Sequence, residues 1–273
     1  MELTVQGPSG SDTKTTAYAY TGGKTFDAAL PCVVFIHGAL HDHSVWTLLA
    51  RWFAHHGHGV LAVDLPGHGR STGAPLPSVE ALADWVLALL DAAFVARAAL
   101  VGHSMGSLIA LEAAARAPTR VSQLVMVGTA YPMKVSDALL GTALDAPLKA
   151  IDMVNAYSHS GIAAKPSYPG PGSWLHGANR ALMRRVQAGQ TAVNLFHHDF
   201  SVCDRYAGGL QAAAKVQCPV SLILGEHDQM TRPHQSRDIA KALKARVHTL
   251  DAGHALMTEA PDAVLAALRS ALA

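Results

Sequence analysis

No long hydrophobic run stands in this sequence. The greasiest stretch, residues 86–100, is broken by Asp91 and Arg97, and nothing reaches the roughly 18–20 apolar residues that span a bilayer. An excess of one charge is missing too: 21 Lys and Arg face 20 Asp and Glu, and charged residues make up only 15% of the chain. That balance argues against nucleic acid and against an anionic membrane surface, because both select clustered Lys and Arg. Cysteine is scarce. Cys32, Cys203 and Cys218 are odd in number and widely spaced, which fits neither a disulfide framework nor a zinc pattern, so reduced thiols in a cytoplasmic protein are expected. The first twelve residues lack a basic start followed by an apolar stretch, so no secretory leader is expected. Internal repeats are absent. Glycine-rich phosphate loops in a strand–helix setting are absent as well, so neither cofactor nor metal is expected.

What is present is alternation. Residues 15–20 have a period of two, and 33–36, 60–63, 98–101, 124–127, 220–224 and 247–250 are short apolar runs rich in branched side chains. Such runs suit central parallel strands covered on both faces. Helical patterns lie between them at 45–56, 79–94, 108–116, 235–243 and 263–272, the last entered through Pro261, at a first-turn position that accepts proline. The reading is a doubly wound α/β sheet with right-handed crossovers, residues 1–130 and 216–273 forming the core. Residues 131–215 break the rhythm: helical flanks at 138–157 and 179–192 surround a turn-rich KPSYPGPG segment at 165–172. This stretch is expected to be a helical cap over the carboxyl ends of the strands, where open α/β sheets bind ligands.

Three short motifs carry chemistry. Gly102-His103-Ser104-Met105-Gly106 is G-x-S-x-G placed between an apolar strand and a helix. A turn that tight forces the serine into strained angles and tolerates no Cβ on its flanks, and it presents the hydroxyl above the sheet beside a helix N-terminus. A serine hydroxyl needs a base. Sixteen histidines compete, but His254 follows the last strand, at the same edge as Ser104. The base needs an acid to hold its tautomer. Asp228 follows the 220–224 strand and is preferred over Glu226, because the first residues past a strand are still committed to the turn; Asp251 is the other competing carboxylate. For the oxyanion, the amide of Met105 is one donor; Ala39 or Leu40, after His37-Gly38, is the second, with Ala39 preferred.

These pieces, with Asp64-Leu65-Pro66-Gly67-His68-Gly69-Arg70-Ser71 and Glu259-Ala260-Pro261, resemble the α/β-hydrolase superfamily, in its small capped esterase and haloperoxidase-like branch. The resemblance covers the chain from about residue 31 onward, apart from the cap. It implies an eight-stranded, mostly parallel sheet and a serine hydrolase acting on a small-molecule carboxylic ester or lactone, as monomer or homodimer. A receptor-like hydrolase with slow turnover and a cofactor-free perhydrolase or carbon–carbon bond hydrolase are the alternatives the same triad allows. Ser104 sets the chain apart from dehalogenases and epoxide hydrolases, which resemble it but carry aspartate at the elbow. Cysteine, used there by dienelactone-type enzymes, is also absent.

Other features have plainer readings. His55-His56-Gly57-His58 suits a solvated helix C-terminus better than a metal cluster. His41-Asp42-His43 either lines the pocket mouth or caps the following helix. Residues 64–71 shape a glycine-rich turn. His103 is expected to pack under the elbow, and Trp46 and Trp85 in the core. Arg180, Arg184 and Arg185 are expected on a solvated helix face; one of them turned inward would point to an acidic substrate. Candidates for the pocket wall are Leu40, His41, Tyr131, Met133, Met153, Tyr157, Trp174 and His198, with His197, Phe200 and Cys203 beside them.

Overall fold

The computed structural model describes residues 1–6, 14–161 and 174–273; the expected 165–172 turn lies outside them. Eight strands form one sheet: β1 (Glu2–Gln6), β2 (Lys14–Tyr20), β3 (Cys32–Ile36), β4 (Gly59–Val63), β5 (Ala98–His103), β6 (Val121–Val127), β7 (Val220–Gly225) and β8 (Arg246–Leu250). Their spatial order is β1-β2-β4-β3-β5-β6-β7-β8. The first two strands pair antiparallel, β2 joins β4 antiparallel, and every pairing from β4 to β8 is parallel.

Helices cover both faces. Between strands run α1 (Thr47–His55), α2 (Val79–Ala92) and α3 (Met105–Arg116). Between β6 and β7 come α4 (Asp137–Asp145), α5 (Pro147–Ser158), α6 (Leu175–Gly189), α7 (Leu195–Arg205) and α8 (Gly209–Ala213), and then α9 (Arg237–Ala242), α10 (Leu256–Glu259) and α11 (Pro261–Ala271) close the chain. Strand β3 reads Cys-Val-Val-Phe-Ile with every residue buried. Val33 and Phe35 face one layer with Trp46, Phe53 and Leu268, while Val34 and Ile36 face the other with Leu82 and Leu108. Each such side chain taken from water contributes about 1.5–3 kcal/mol, so the central strands anchor two cores at once. Trp46 and Trp85 are buried in these layers.

The 138–157 pattern is two helices, since Pro147 forces Ala146 out of the helical region (φ −148°, ψ 71°) and opens α5 at its first turn. Among the described residues no helix is long and apolar enough to cross a membrane. Cys32 and Cys203 are buried and Cys218 is half-buried, each a thiol.

Candidate active site

Parallel register gathers loops that are far apart in sequence. Ile36 pairs with Gly102, His103 with Val127, Val127 with Ile223, and Gly225 with Leu250. The turns leaving β3, β5, β7 and β8 therefore open side by side at one edge. They carry residues 37–42, Ser104, Asp228 and His254 respectively.

Ser104 sits between β5 and α3 with φ 51° and ψ −119°, a conformation that costs a non-glycine residue about 1–3 kcal/mol and persists only where its surroundings impose it. The surroundings do so. The Ser104 amide donates to Val127 O at 2.9 Å, and the Ser107 hydroxyl donates to Ser104 O at 2.6 Å. A Cβ on Gly102 would lie 2.0 Å from Gly106 O, and one on Gly106 would lie 2.4 Å from Ile36 O. Met105 opens α3 directly after the serine, so its amide is one of the four a helix leaves without an internal acceptor.

His254 Nδ1 donates to Asp228 Oδ2 at 2.8 Å. Asp228 is buried and accepts three further bonds: the amides of Met230 and Thr231 at 2.8 Å on Oδ1, and the Thr231 hydroxyl at 2.7 Å on Oδ2. Burial alone would raise its pKa, yet the His254 ring and the Thr231 bonds outweigh burial and hold Asp228 below the usual carboxylate range. An ionised acid fixes the Nδ1–H tautomer and turns Nε2 outward as a proton acceptor. The competing carboxylate Asp251 instead faces His227 at 3.0 Å on the surface.

The loop after β3 presses against the elbow: a Cβ on Gly38 would sit 3.1 Å from both His103 Nδ1 and Ser104 Cβ. The Leu40 amide is committed to Asp199 Oδ2 at 2.8 Å. The Ala39 amide makes no hydrogen bond among the described residues, and Ala39 borders the pocket. Of the two candidate amides, Leu40's therefore already has an acceptor.

Ser104 and His254 share a cavity of about 390 Å³ with Ala39, His41, Met133, Met153 and Tyr157. Leu139, Phe200 and Cys203 add to its apolar wall from above. Five expected wall residues are not among those lining it. His197 is half-buried in the first turn of α7, its amide donating to Asn194 Oδ1 at 3.3 Å. Leu40 is wholly buried in the core beneath the loop. Tyr131 turns its hydroxyl to Ala207 O and packs on Gly209. Trp174 is half exposed, its ring lying over Gly177. His198 faces Asp199 Oδ1 at 3.2 Å, away from the cavity.

His103 donates from Nε2 to His254 O at 2.9 Å, and its ring also borders the cavity. Burial, then the neighbouring His254 and His41 rings, push its pKa well down, so it stays neutral. His41-Asp42 serves both expected purposes: His41 lines the cavity, and Asp42 caps the turn His43–Trp46 through the Ser44 amide at 2.9 Å. Asp64 takes the His43 amide at 2.7 Å and the Arg70 amide at 2.9 Å, which shapes the 64–71 turn. His56 stacks on Trp52 at the end of α1, with ring centroids 3.8 Å apart. Arg180 and Arg184 pair with Asp152, and Arg185 with Asp42. Asp42, His43 and Asp64 bring ligand-type atoms within 4.8 Å of one another, but Arg185, Ser44 and Arg70 already occupy their oxygens.

Thr231 and Asp199 escaped the sequence reading. Thr231 carried one usable signal, a hydroxyl three residues after an acid that must stay ionised in a buried turn. Asp199 carried none, because nothing local distinguishes a buried aspartate from a solvated one.

Comparison with known proteins gives a consistent picture. The model of the Alpha/beta hydrolase family matches residues 33–267. Pimeloyl-[acyl-carrier protein] methyl ester esterase from Chromobacterium violaceum is 31% identical over 226 residues, covering 78% of this chain and 82% of that one. The sn-1-specific diacylglycerol lipase ABHD11 of Mus musculus is 33% identical over 135 residues, 49% of this chain but only 44% of the lipase. The chain thus spans less than half the length of some curated relatives it matches. Among solved structures, the enol-lactonase from Burkholderia xenovorans LB400 superposes with a TM-score of 0.80 over 94% of this chain and 96% of that one, at 24% identity; this likeness concerns the fold.

Proposed function

The chain belongs to the alpha/beta hydrolase family, and we propose that it is a serine hydrolase cleaving a small carboxylic ester or lactone. The observation that carries the proposal is Asp228 Oδ2 2.8 Å from His254 Nδ1, with Ser104 on its strained elbow in the same cavity. In this reading Ser104 Oγ attacks the carbonyl carbon while His254 Nε2 takes its proton. The tetrahedral oxyanion rests on the amides of Met105 and Ala39. His254 then protonates the leaving oxygen, giving an acyl-enzyme, and next draws a proton from water to release the acid. Asp228 stays ionised throughout and stabilises the imidazolium.

Residues 131–215 act as the cap. Met133, Leu139, Met153 and Phe200 give the acyl side of the pocket an apolar wall, and none of the three arginines of α6 points into it as a substrate anchor. A cavity of about 390 Å³ suits a small molecule.

The test is pre-steady-state hydrolysis of p-nitrophenyl esters from acetate to octanoate. A burst of one p-nitrophenol per chain followed by steady turnover is expected. Release with neither burst nor dependence on Ser104 would reject the acyl-enzyme scheme, and a burst that stalls would favour a slow, receptor-like site.

A further inference from the structure

Two donors, from the loops after β3 and β4, converge on one carboxylate oxygen that arrives from α7. Asp199 lies in α7 with its side chain 2% exposed. Its Oδ2 accepts the Leu40 amide at 2.8 Å and His68 Nε2 at 2.8 Å, and its Oδ1 faces His198 Nδ1 at 3.2 Å. His68 Nδ1 in turn faces Pro66 O at 3.1 Å. A ring with an acceptor at each nitrogen satisfies both only when both carry a proton. A buried carboxylate likewise remains charged only beside a partner. Burial opposes both charges, but His68, His198 and the Leu40 amide hold Asp199 below the usual carboxylate range, and Asp199 lifts His68 above its ordinary value.

The position of this pair matters. Leu40 adopts φ 54°, a left-handed conformation that leucine keeps only where neighbours impose it. Without Asp199 its buried amide would lose its acceptor. The next two loop residues are also tied to the stretch between β6 and β7: His41 Nε2 to Asn179 Oδ1 at 2.9 Å, and Asp42 Oδ2 to Arg185 at 2.6 Å. Three consecutive residues of the loop thus take their geometry from α6 and α7, although the loop belongs to β3.

We infer that Asp199 is a positioning residue: by pinning the Leu40 amide over His68 it aims the neighbouring Ala39 amide at the oxyanion, so that the seating of α7 becomes a condition for acyl transfer. This rests on the serine-hydrolase reading above. Asp199 touches no substrate. Its effect belongs in the transition state, because a loop displaced by about 1 Å still admits the ester but meets the oxyanion poorly.

The experiment compares wild type with Asp199→Asn, which keeps the shape and loses the charge. The variant is expected to lower kcat for p-nitrophenyl butyrate by about 10- to 100-fold, a large part of what a lost oxyanion donor costs, with KM within about twofold. Inhibition by butaneboronic acid, whose serine adduct is a tetrahedral anion, should weaken by a similar factor while inhibition by neutral butyramide does not. A kcat within twofold of wild type, whatever the change in Tm, would overturn the inference and leave Asp199 a structural anchor. If Asp199→Asn does not fold, His68→Gln, which keeps a donor and loses the charge, is expected to give the same split. If neither folds, the pair is a folding requirement and the inference falls. A wild type that fails to hydrolyse the ester sinks the hydrolase reading, and this one with it, before any variant is compared.

Discussion

At the scale of single residues, the site is defined by what each neighbour forbids. Glycine is obligatory at 102 and 106, because a methyl group there would meet backbone oxygens at 2.0 and 2.4 Å. The serine between them sits at φ 51°, its amide donating to Val127 O and its carbonyl accepting from Ser107. Asp228 does something different: three donors besides His254 fill its oxygens, so the carboxylate cannot rotate away from the ring. Asp228→Asn leaves that cage nearly intact but presents an amide to His254 and favours the wrong tautomer. The expected result is a fall in kcat of about 10⁴-fold with little change in KM. Steady-state kinetics on p-nitrophenyl butyrate measure this directly, and a loss below tenfold would mean that the tautomer is set elsewhere.

At the scale of elements, seven of the eight strands were legible, the edge strand β8 among them, and β1 was not. Strands β3 and β4 are apolar and buried throughout, and β5 to β7 carry apolar runs of four or five residues broken at most by one serine, because both faces of the sheet are covered. Strand β1 reads Glu-Leu-Thr-Val-Gln, with only Leu3 and Val5 buried; so short an alternation inside a polar terminus looks like coil until β2 pairs with it. Helix α7, Leu-Phe-His-His-Asp-Phe-Ser-Val-Cys-Asp-Arg, went unread because its inner face is not apolar throughout: Asp199 and Ser201 are buried beside Phe196 and Phe200. A helix whose buried face carries a charge breaks the 3.6-residue signal, and the partner that makes that charge tolerable, His68, lies 131 residues away. The catalytic candidates were readable for the opposite reason. Ser104, Asp228 and His254 each sit on a turn that ends a recognisable strand, so position along the chain stood in for position in space. The pocket wall had no such proxy. Tyr131 and Trp174 have the composition of a lining residue, and only packing decides that they serve elsewhere.

At the scale of the whole molecule, buried histidines make stability depend on pH. Burial holds His37 at about 4, and it keeps His41 and His103 below their ordinary 6.5 as well. These rings are neutral in the fold but take up protons once unfolded, so their contribution is complete above about pH 7 and is lost as pH falls toward 4. His68 runs the other way: raised by Asp199 against its own burial, it stabilises below 6.5 and loses that contribution as pH rises above it. The neutral rings outnumber it. Stability should therefore decline from pH 7 to pH 5, by about 1.4 kcal/mol per pH unit for each excess proton the unfolded chain binds. A second loss is expected below about pH 4, as carboxylates held low in the fold, Asp42 at about 2 among them, give way. Urea midpoints measured from pH 4 to 8 read both slopes, and a flat profile between 5 and 7 would show that the rings are not kept neutral.

The activated serine is the claim on which the rest depends, and intact-protein mass after a fluorophosphonate probe tests it most directly. Wild type, Ser104→Ala and His254→Ala are treated side by side. A single adduct on wild type and none on either variant is the expected pattern, because the probe needs both the hydroxyl and the base that deprotonates it. Labelling that survives in Ser104→Ala, or a wild type that stays unmodified, would contradict it.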